Sequence, residues 1–164
     1  MSLRTELEKI EKDRLQNGRV RIRPIETEAD VIYAVCECRL SDEQKELVNP
    51  AWFSLGRAYL RRGDNYPCII CNENNDPIGF INFCKWLGSG EAYSWSYFIY
   101  EKSQGKGYGR SAAELAISIL KSILPSLPIK LSTEVVNIKA QSLYVSLGFR
   151  LLPEKDGDDI VFGL

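Results

Sequence analysis

The chain has 164 residues, 45% of them hydrophobic, with 21 basic side chains against 22 acidic ones and no histidine. That suffices for one domain with a proper core, while a net charge of −1 supplies no field to gather nucleic acid. No apolar run nears the ~18 residues of a membrane span and the charged start is unlike a signal peptide, so the expectation is a cytoplasmic protein that binds neither nucleic acid nor membrane.

The lack of histidine removes Ser-His and Cys-His couples and leaves acid–base chemistry to carboxylates, Tyr, Cys, Lys or water. Five cysteines are present. Cys68-x-x-Cys71 lies within an apolar strand, with no second pair at metal-site spacing, so these read as buried thiols and no metal is expected.

In chain order, residues 1–17 predict an amphipathic helical extension, with Leu3, Leu7, Ile10 and Leu15 roughly on one face, ended by Asn17-Gly18. The domain proper then spans 18–164. Arg19 to Ile25 alternates as a half-buried strand. Helical spacing follows over Glu28–Cys38, then over a short segment at Glu43–Val48 behind Ser41, then over Trp52–Leu60. Pro67–Asn72 and Ile78–Trp86 form a hairpin around the polar turn at Glu73–Pro77, and Gly79 within it marks a bulge or a close backbone approach. The aromatic-rich run Glu91–Tyr100 is the next strand.

Three glycines in six residues follow, in Gln104-Gly105-Lys106-Gly107-Tyr108-Gly109, and then a helix from Arg110 to Ile123. A Gly-rich turn between a strand and a helix aims backbone N–H groups and the helix dipole at one point, which suits a phosphate or pyrophosphate. A Walker loop would close on Gly-Lys-Ser/Thr, and a dinucleotide fingerprint would read Gly-x-Gly-x-x-Gly early in a βαβ unit; neither fits. Downstream, Ile129–Val135 reads as a strand, and Asn137 opens a helix over Ile138–Leu147 that Gly148 stops. Phe149–Leu152 and Asp159–Leu164 make a terminal hairpin across the acidic turn Glu154–Asp159.

The turn, followed some 30 residues later by Asn137-x-x-Ala140-x-x-Leu143-Tyr144-x-x-x-Gly148-Phe149, resembles the GNAT superfamily of acetyl-CoA-dependent N-acetyltransferases. The resemblance implies a single α/β domain with a mixed central sheet flanked by helices, in the order β-α-α-β-β-β-α-β-α-β-β after the extra N-terminal helix. It implies acetyl-CoA as cofactor, with pyrophosphate on Gln104, Gly105, Lys106, Gly107, Tyr108, Gly109 and Arg110. It places pantetheine along Tyr97, Phe98 and Ile99 and beside Asn137 and Tyr144. A homodimer is the superfamily expectation.

Tyr144 is the expected general acid, since a phenol is protonated at neutral pH and can donate to a leaving thiolate; simple packing against Phe149 is the alternative. Asn137 would also serve as a helix N-cap alone. Glu134 is the leading candidate base, with Glu101 and Glu91 behind it, and each also fits an ordinary solvated carboxylate. A narrower resemblance, to the bacterial diamine/spermidine N-acetyltransferase branch, rests on Leu40-Ser41-Asp42-Glu43-Gln44 and on Trp52-x-Ser54-Leu55. It implies that Asp42, Glu43 and Glu46 bind a polycation, although acids favoured at a helix start look the same. Ser96 and Tyr100 depart from that branch, which carries Arg and Asp there. The alternatives are another acceptor (an aminoglycoside, amino acid or protein N-terminus) or a non-catalytic acetyl-CoA-binding module.

Overall fold

The computed structural model describes residues 2–164. In chain order the elements are α1 (Leu3–Glu8), β1 (Val20–Pro24), α2 (Glu28–Ile32), α3 (Asp42–Lys45), α4 (Ala51–Leu60), β2 (Asn65–Asn72), β3 (Pro77–Lys85), β4 (Tyr93–Ile99), α5 (Tyr108–Ile123), β5 (Lys130–Thr133), α6 (Ile138–Ser146), β6 (Arg150–Asp156) and β7 (Asp159–Gly163). The expected α/β domain is present, with helices on both sides of the strands.

The strands do not make one continuous mixed sheet. They form two antiparallel sheets, ordered β1-β2-β3-β4 and β5-β7-β6. A single parallel bridge joins them, Tyr93 to Ile129, where the Tyr93 N–H donates to the Pro128 carbonyl at 3.0 Å. Past that bridge β4 and β5 run side by side unpaired among the described residues, so the two sheets open as a wedge.

Alternation sorts the side chains into two layers. Tyr93, Trp95, Tyr97 and Ile99 of β4 join the main core with Ala112, Ala116, Ile119 and Leu120 of α5. Phe98 turns the other way and stacks on Phe80, with ring centroids 5.6 Å apart, in a second core walled by Ala34 and Ala51. Cys68 belongs to the first core and Cys71 to the second, so the Cys-x-x-Cys pair faces opposite sides of β2 and cannot share a ligand.

The helix predicted over 1–17 is interrupted. It ends at Glu8, and Lys12–Leu15 forms a separate 3-10 turn. Glu11 to Arg14 offers nothing apolar to bury, and the change of direction lets Ile10 and Leu15 both reach the core that encloses Leu3 and Leu7. Gly79 behaves as expected. The register slips opposite it, between Ile70 and Cys71, and a Cβ there would fall 2.5 Å from the Phe98 carbonyl oxygen. Only glycine permits that approach of β3 to β4.

The start of α2 is fixed by Asp30, which is 6% exposed. Its carboxylate accepts from the Glu26 and Thr27 N–H groups at 3.1 Å and from Arg23 Nη2 of β1 at 2.7 Å. The bond from Arg23 holds this carboxyl well below the usual carboxylate range, against the opposing effect of burial. Replacing Asp30 with Ala strands Arg23 and two N–H groups, an expected loss of about 3 kcal/mol. Because the folded pKa is depressed, the stabilisation is full above the unfolded value near ~4 and fades as pH falls through the folded one. Urea melts of the Ala variant and the parent should therefore converge in acid; a constant gap would show that the charge contributes nothing.

Candidate functional site

The wedge between β4 and β5 is a cleft of about 880 Å³. Its floor is the free edge of β4 from Ser94 to Ile99, and its sides are β5, α6 and the segment Gln44–Pro50. Because β4 has no neighbouring strand there, its outward backbone N–H and C=O groups, apart from the Ile99 carbonyl that accepts from Gln104, remain available to an extended ligand, as an edge strand's are.

One end of the cleft is the Gly-rich turn. Gly105 and Gly107 take φ of +73° and +82°, where only glycine sits without strain. Gly107 is the N-cap of α5 and offers no side-chain cap, in contrast to Thr27, Ser41 and Asn137, whose side chains cap α2, α3 and α6. The first N–H groups of a 16-residue helix therefore point outward uncapped, next to Gln104, Gly105, Tyr108 and Gly109 on the cleft wall. This is the arrangement that binds phosphate.

The turn is braced from three sides. Tyr97 Oη donates to the Gly109 carbonyl at 3.1 Å, and burial pushes that phenol's pKa up. Gln104 Nε2 donates to the Ile99 carbonyl at 2.9 Å and also to Gln44 Oε1. Arg19 Nη2 donates to the Lys106 carbonyl at 2.6 Å, while its guanidinium lies 5.2 Å from the Tyr108 ring centroid. Arg19 thus supplies a cation that the sequence pattern did not single out. Arg110, expected to lend charge, instead donates to Glu114 at 3.0 Å and to Ser146 Oγ at 2.8 Å. Neither it nor Lys106 lines the cleft.

Deeper in, Tyr144 lines the cleft from α6 and is 9% exposed. Its ring packs on Phe149 and Phe162 at 5.8 and 5.7 Å, and burial pushes the phenol up to about 12. Asn137 also lines the cleft, although its Oδ1 is occupied in capping α6, accepting from the Ala140 N–H at 3.2 Å. Of the three carboxylates considered as a base, Glu134 lines the cleft whereas Glu91 and Glu101 lie off it.

The acidic residues of α3 are only partly brought in. Glu46 lines the cleft, whereas Asp42 and Glu43 do not. Asp42 pairs with Lys45 at 2.7 Å and Glu43 with Lys139 of α6 at 2.9 Å. The second pair, with the Gln44–Gln104 contact, straps α3 across the cleft mouth. Acidic groups reach the cleft instead from the β6–β7 hairpin, as Asp156 and Asp159. The lining also includes Arg57 of α4, Cys84 of β3 and Ser94 of β4. Burial pushes the Cys84 thiol up to about 11, so it is no thiolate at neutral pH.

The sequence profile of the Acetyltransferase (GNAT) family matches residues 32–149. None of the curated proteins compared with the chain matches it. Among solved structures, an acetyltransferase from Agrobacterium tumefaciens superposes with a TM-score of 0.69 at 20% identity, covering 92% of each chain. Mycobacterium smegmatis RimJ in complex with CoA-disulfide gives 0.66 at 20% identity, over 88% of this chain and 81% of that one. Vibrio cholerae spermidine N-acetyltransferase in complex with CoA and spermine gives 0.60 at 18% identity, over 90% and 94%. At these identities the likeness speaks to the fold alone, but the profile covers most of the chain. The chain belongs to the GNAT acetyltransferase family.

Proposed function

We propose that this protein transfers the acetyl group of acetyl-CoA to a primary amine of a small molecule, with a di- or polyamine as the leading acceptor. The observation that carries the reading is the single cleft that joins an uncapped helix N-terminus, an unpaired strand edge and a buried tyrosine. Each matches one part of the cofactor. The N–H groups of Gly105 to Arg110 suit the pyrophosphate, the free edge of β4 suits the amide-bearing pantetheine arm, and the buried phenol of Tyr144 suits the thioester end.

In the reaction, the amine nitrogen attacks the thioester carbonyl, whose developing negative charge is met by a β4 backbone N–H. The carbon–sulfur bond then breaks and the Tyr144 O–H protonates the departing sulfur. Glu134, Asp156 and Asp159 lie close enough to act on one another, and this acidic corner of a lining that also carries Lys45, Arg57, Lys85 and Lys139 supports a cationic acceptor.

The test is release of free thiol from acetyl-CoA against a panel of putrescine, spermidine, an aminoglycoside, free amino acids and a short peptide. Saturable release with a di- or polyamine is expected. Release confined to another amine would remove the polyamine assignment, and silence across the panel beside tight acetyl-CoA binding would mark a binding module.

A further inference from the structure

Acetyl transfer to an amine needs a proton acceptor as well as a donor, and the two belong on opposite sides of the thioester, since the amine enters as the thiolate leaves. The second sheet separates those sides by alternation. Paired residues of antiparallel strands share a face, so Leu131 with Phe162 and Thr133 with Ile160 face the core that holds Tyr144. Ser132 with Val161 face the other way, and so does the Asp156–Asp159 pair. The bond from Ser132 Oγ to Asp156 Oδ2 at 3.0 Å agrees with that assignment. This second face points away from the core of α5 and Tyr144, and its Ser132, Asp156 and Asp159 line the same cleft as Gln44–Pro50.

Three carboxylates reach the cleft from this sheet, and they are not equivalent. Asp156 already accepts the Ser132 hydroxyl. Glu134 is exposed, at the head of α6. Asp159 is half-buried and has no hydrogen-bond or ion-pair partner among the described residues. The charged groups that face it are Glu134, from the end of β5, and Asp156 and Asp158, from the hairpin. Burial first, and then those three charges, raise its carboxyl above the usual value. The cations that line the cleft are Arg57 of α4, and Lys45, Lys85 and Lys139, which are paired with Asp42, Asp64 and Glu43. A carboxylate that is partly desolvated, uncompensated and crowded by like charge is a better base than a solvated one.

We infer that Asp159 is the proton acceptor for the amine, on the face of the β5–β7–β6 sheet opposite Tyr144. The assignment rests on the acetyl-transfer reading above. As the carbon–nitrogen bond forms, the excess proton on nitrogen passes to an Asp159 carboxylate oxygen. The electron pair of the carbon–sulfur bond leaves on sulfur, which takes the Tyr144 proton. Asp159 then returns its proton to solvent and Tyr144 regains one, so the net products are the amide and free coenzyme A.

The experiment compares Asp159→Asn with the parent on a series of primary alkylamines of graded pKa. The variant should lose about 10²-fold in kcat or more with the most basic amine, within the range for general base catalysis, at unchanged KM for acetyl-CoA. The deficit should narrow as the amine pKa falls, because a less basic nitrogen sheds its proton without help. Asp159→Glu should recover part of the rate. A structural role would not produce the dependence on amine pKa.

Since the folded pKa is raised, the fold favours the protonated form. That contribution is full below the unfolded pKa and lost as pH rises through the folded one. At neutral pH Asp159→Asn should therefore melt no lower than the parent. If the Asn variant does not fold, Asp159→Ala gives the same comparison. Parental turnover beside a variant with an equal rate, or with a deficit independent of amine pKa, would overturn the assignment of Asp159 alone. No thiol release by the parent with any amine would overturn the acetyl-transfer reading and this inference with it.

Discussion

Replacing Tyr144 with Phe should leave acetyl-CoA affinity unchanged and lower turnover by about 10²–10³, within the usual range for a general acid. The substitution is clean because the Tyr144 hydroxyl makes no hydrogen bond within the described chain, while its ring keeps the contacts to Phe149 and Phe162. Little stability is therefore at stake, and a thermal melt should show none lost. A phenol pushed up to about 12 by burial stays protonated across the neutral range, so no alkaline limb from this group should appear below about pH 11. The same apolar surroundings raise the proton affinity of a thiolate formed beside it, which keeps the transfer feasible despite the phenol's weak acidity. Equal turnover by the Phe variant would show that Tyr144 only packs.

The second large effect is expected at the turn. Replacing Gly107 with Val should weaken acetyl-CoA binding by about 10²–10³, the loss of two charge-assisted N–H contacts to phosphate. The cause is conformational more than steric. A Cβ at Gly107 would have only Arg19 Nη2 nearby, at 3.9 Å, but a φ of +82° is closed to a β-branched residue. The N–H groups that it aims must turn away. Gly90, with φ of +75°, lies off the cleft wall and serves as the control. Gly90→Val should cost similar stability and leave acetyl-CoA affinity intact in calorimetric titration. Equal affinity losses in both variants would reduce the turn to an ordinary structural one.

What was legible in the sequence was local. The glycines, the strand before them and the amphipathic run of α5 lie within about 30 residues, and their order alone implies an anion cradle. The same holds for Asn137, whose N-cap bond spans three residues. Tyr144 is singled out by a motif of fixed spacing, and it lines the cleft.

What escaped was set by distant pairing. The parting of β4 from β5 after Tyr93 is implied by the family resemblance, which sets pantetheine along Tyr97, Phe98 and Ile99; residues 91–100 by themselves do not show it, because an absent ladder leaves no pattern. Asp159 follows a hairpin and reads as a turn residue, and only the register of β7 against β5 and β6 turns it to the second face of the sheet. Asp42 and Glu43 read from the sequence as substrate ligands, and the structure pairs them with Lys45 and Lys139, the latter 96 residues from Glu43. Arg110 reads as free for phosphate in the sequence, whereas the fold brings Ser146 of α6 within its reach. The helix over 1–17 failed for a related reason. Its apolar spacing holds through Leu7, but the core's position, not the periodicity, decides where the chain must bend to bury Ile10 and Leu15.

The most direct test of acetyl transfer to an amine is to follow the group itself. Acetyl-CoA carrying a labelled acetyl group, incubated with the protein and spermidine, should yield acetylated amine bearing the label, in step with free coenzyme A. The label recovered only as acetate, or left on coenzyme A whatever amine is supplied, would contradict the account.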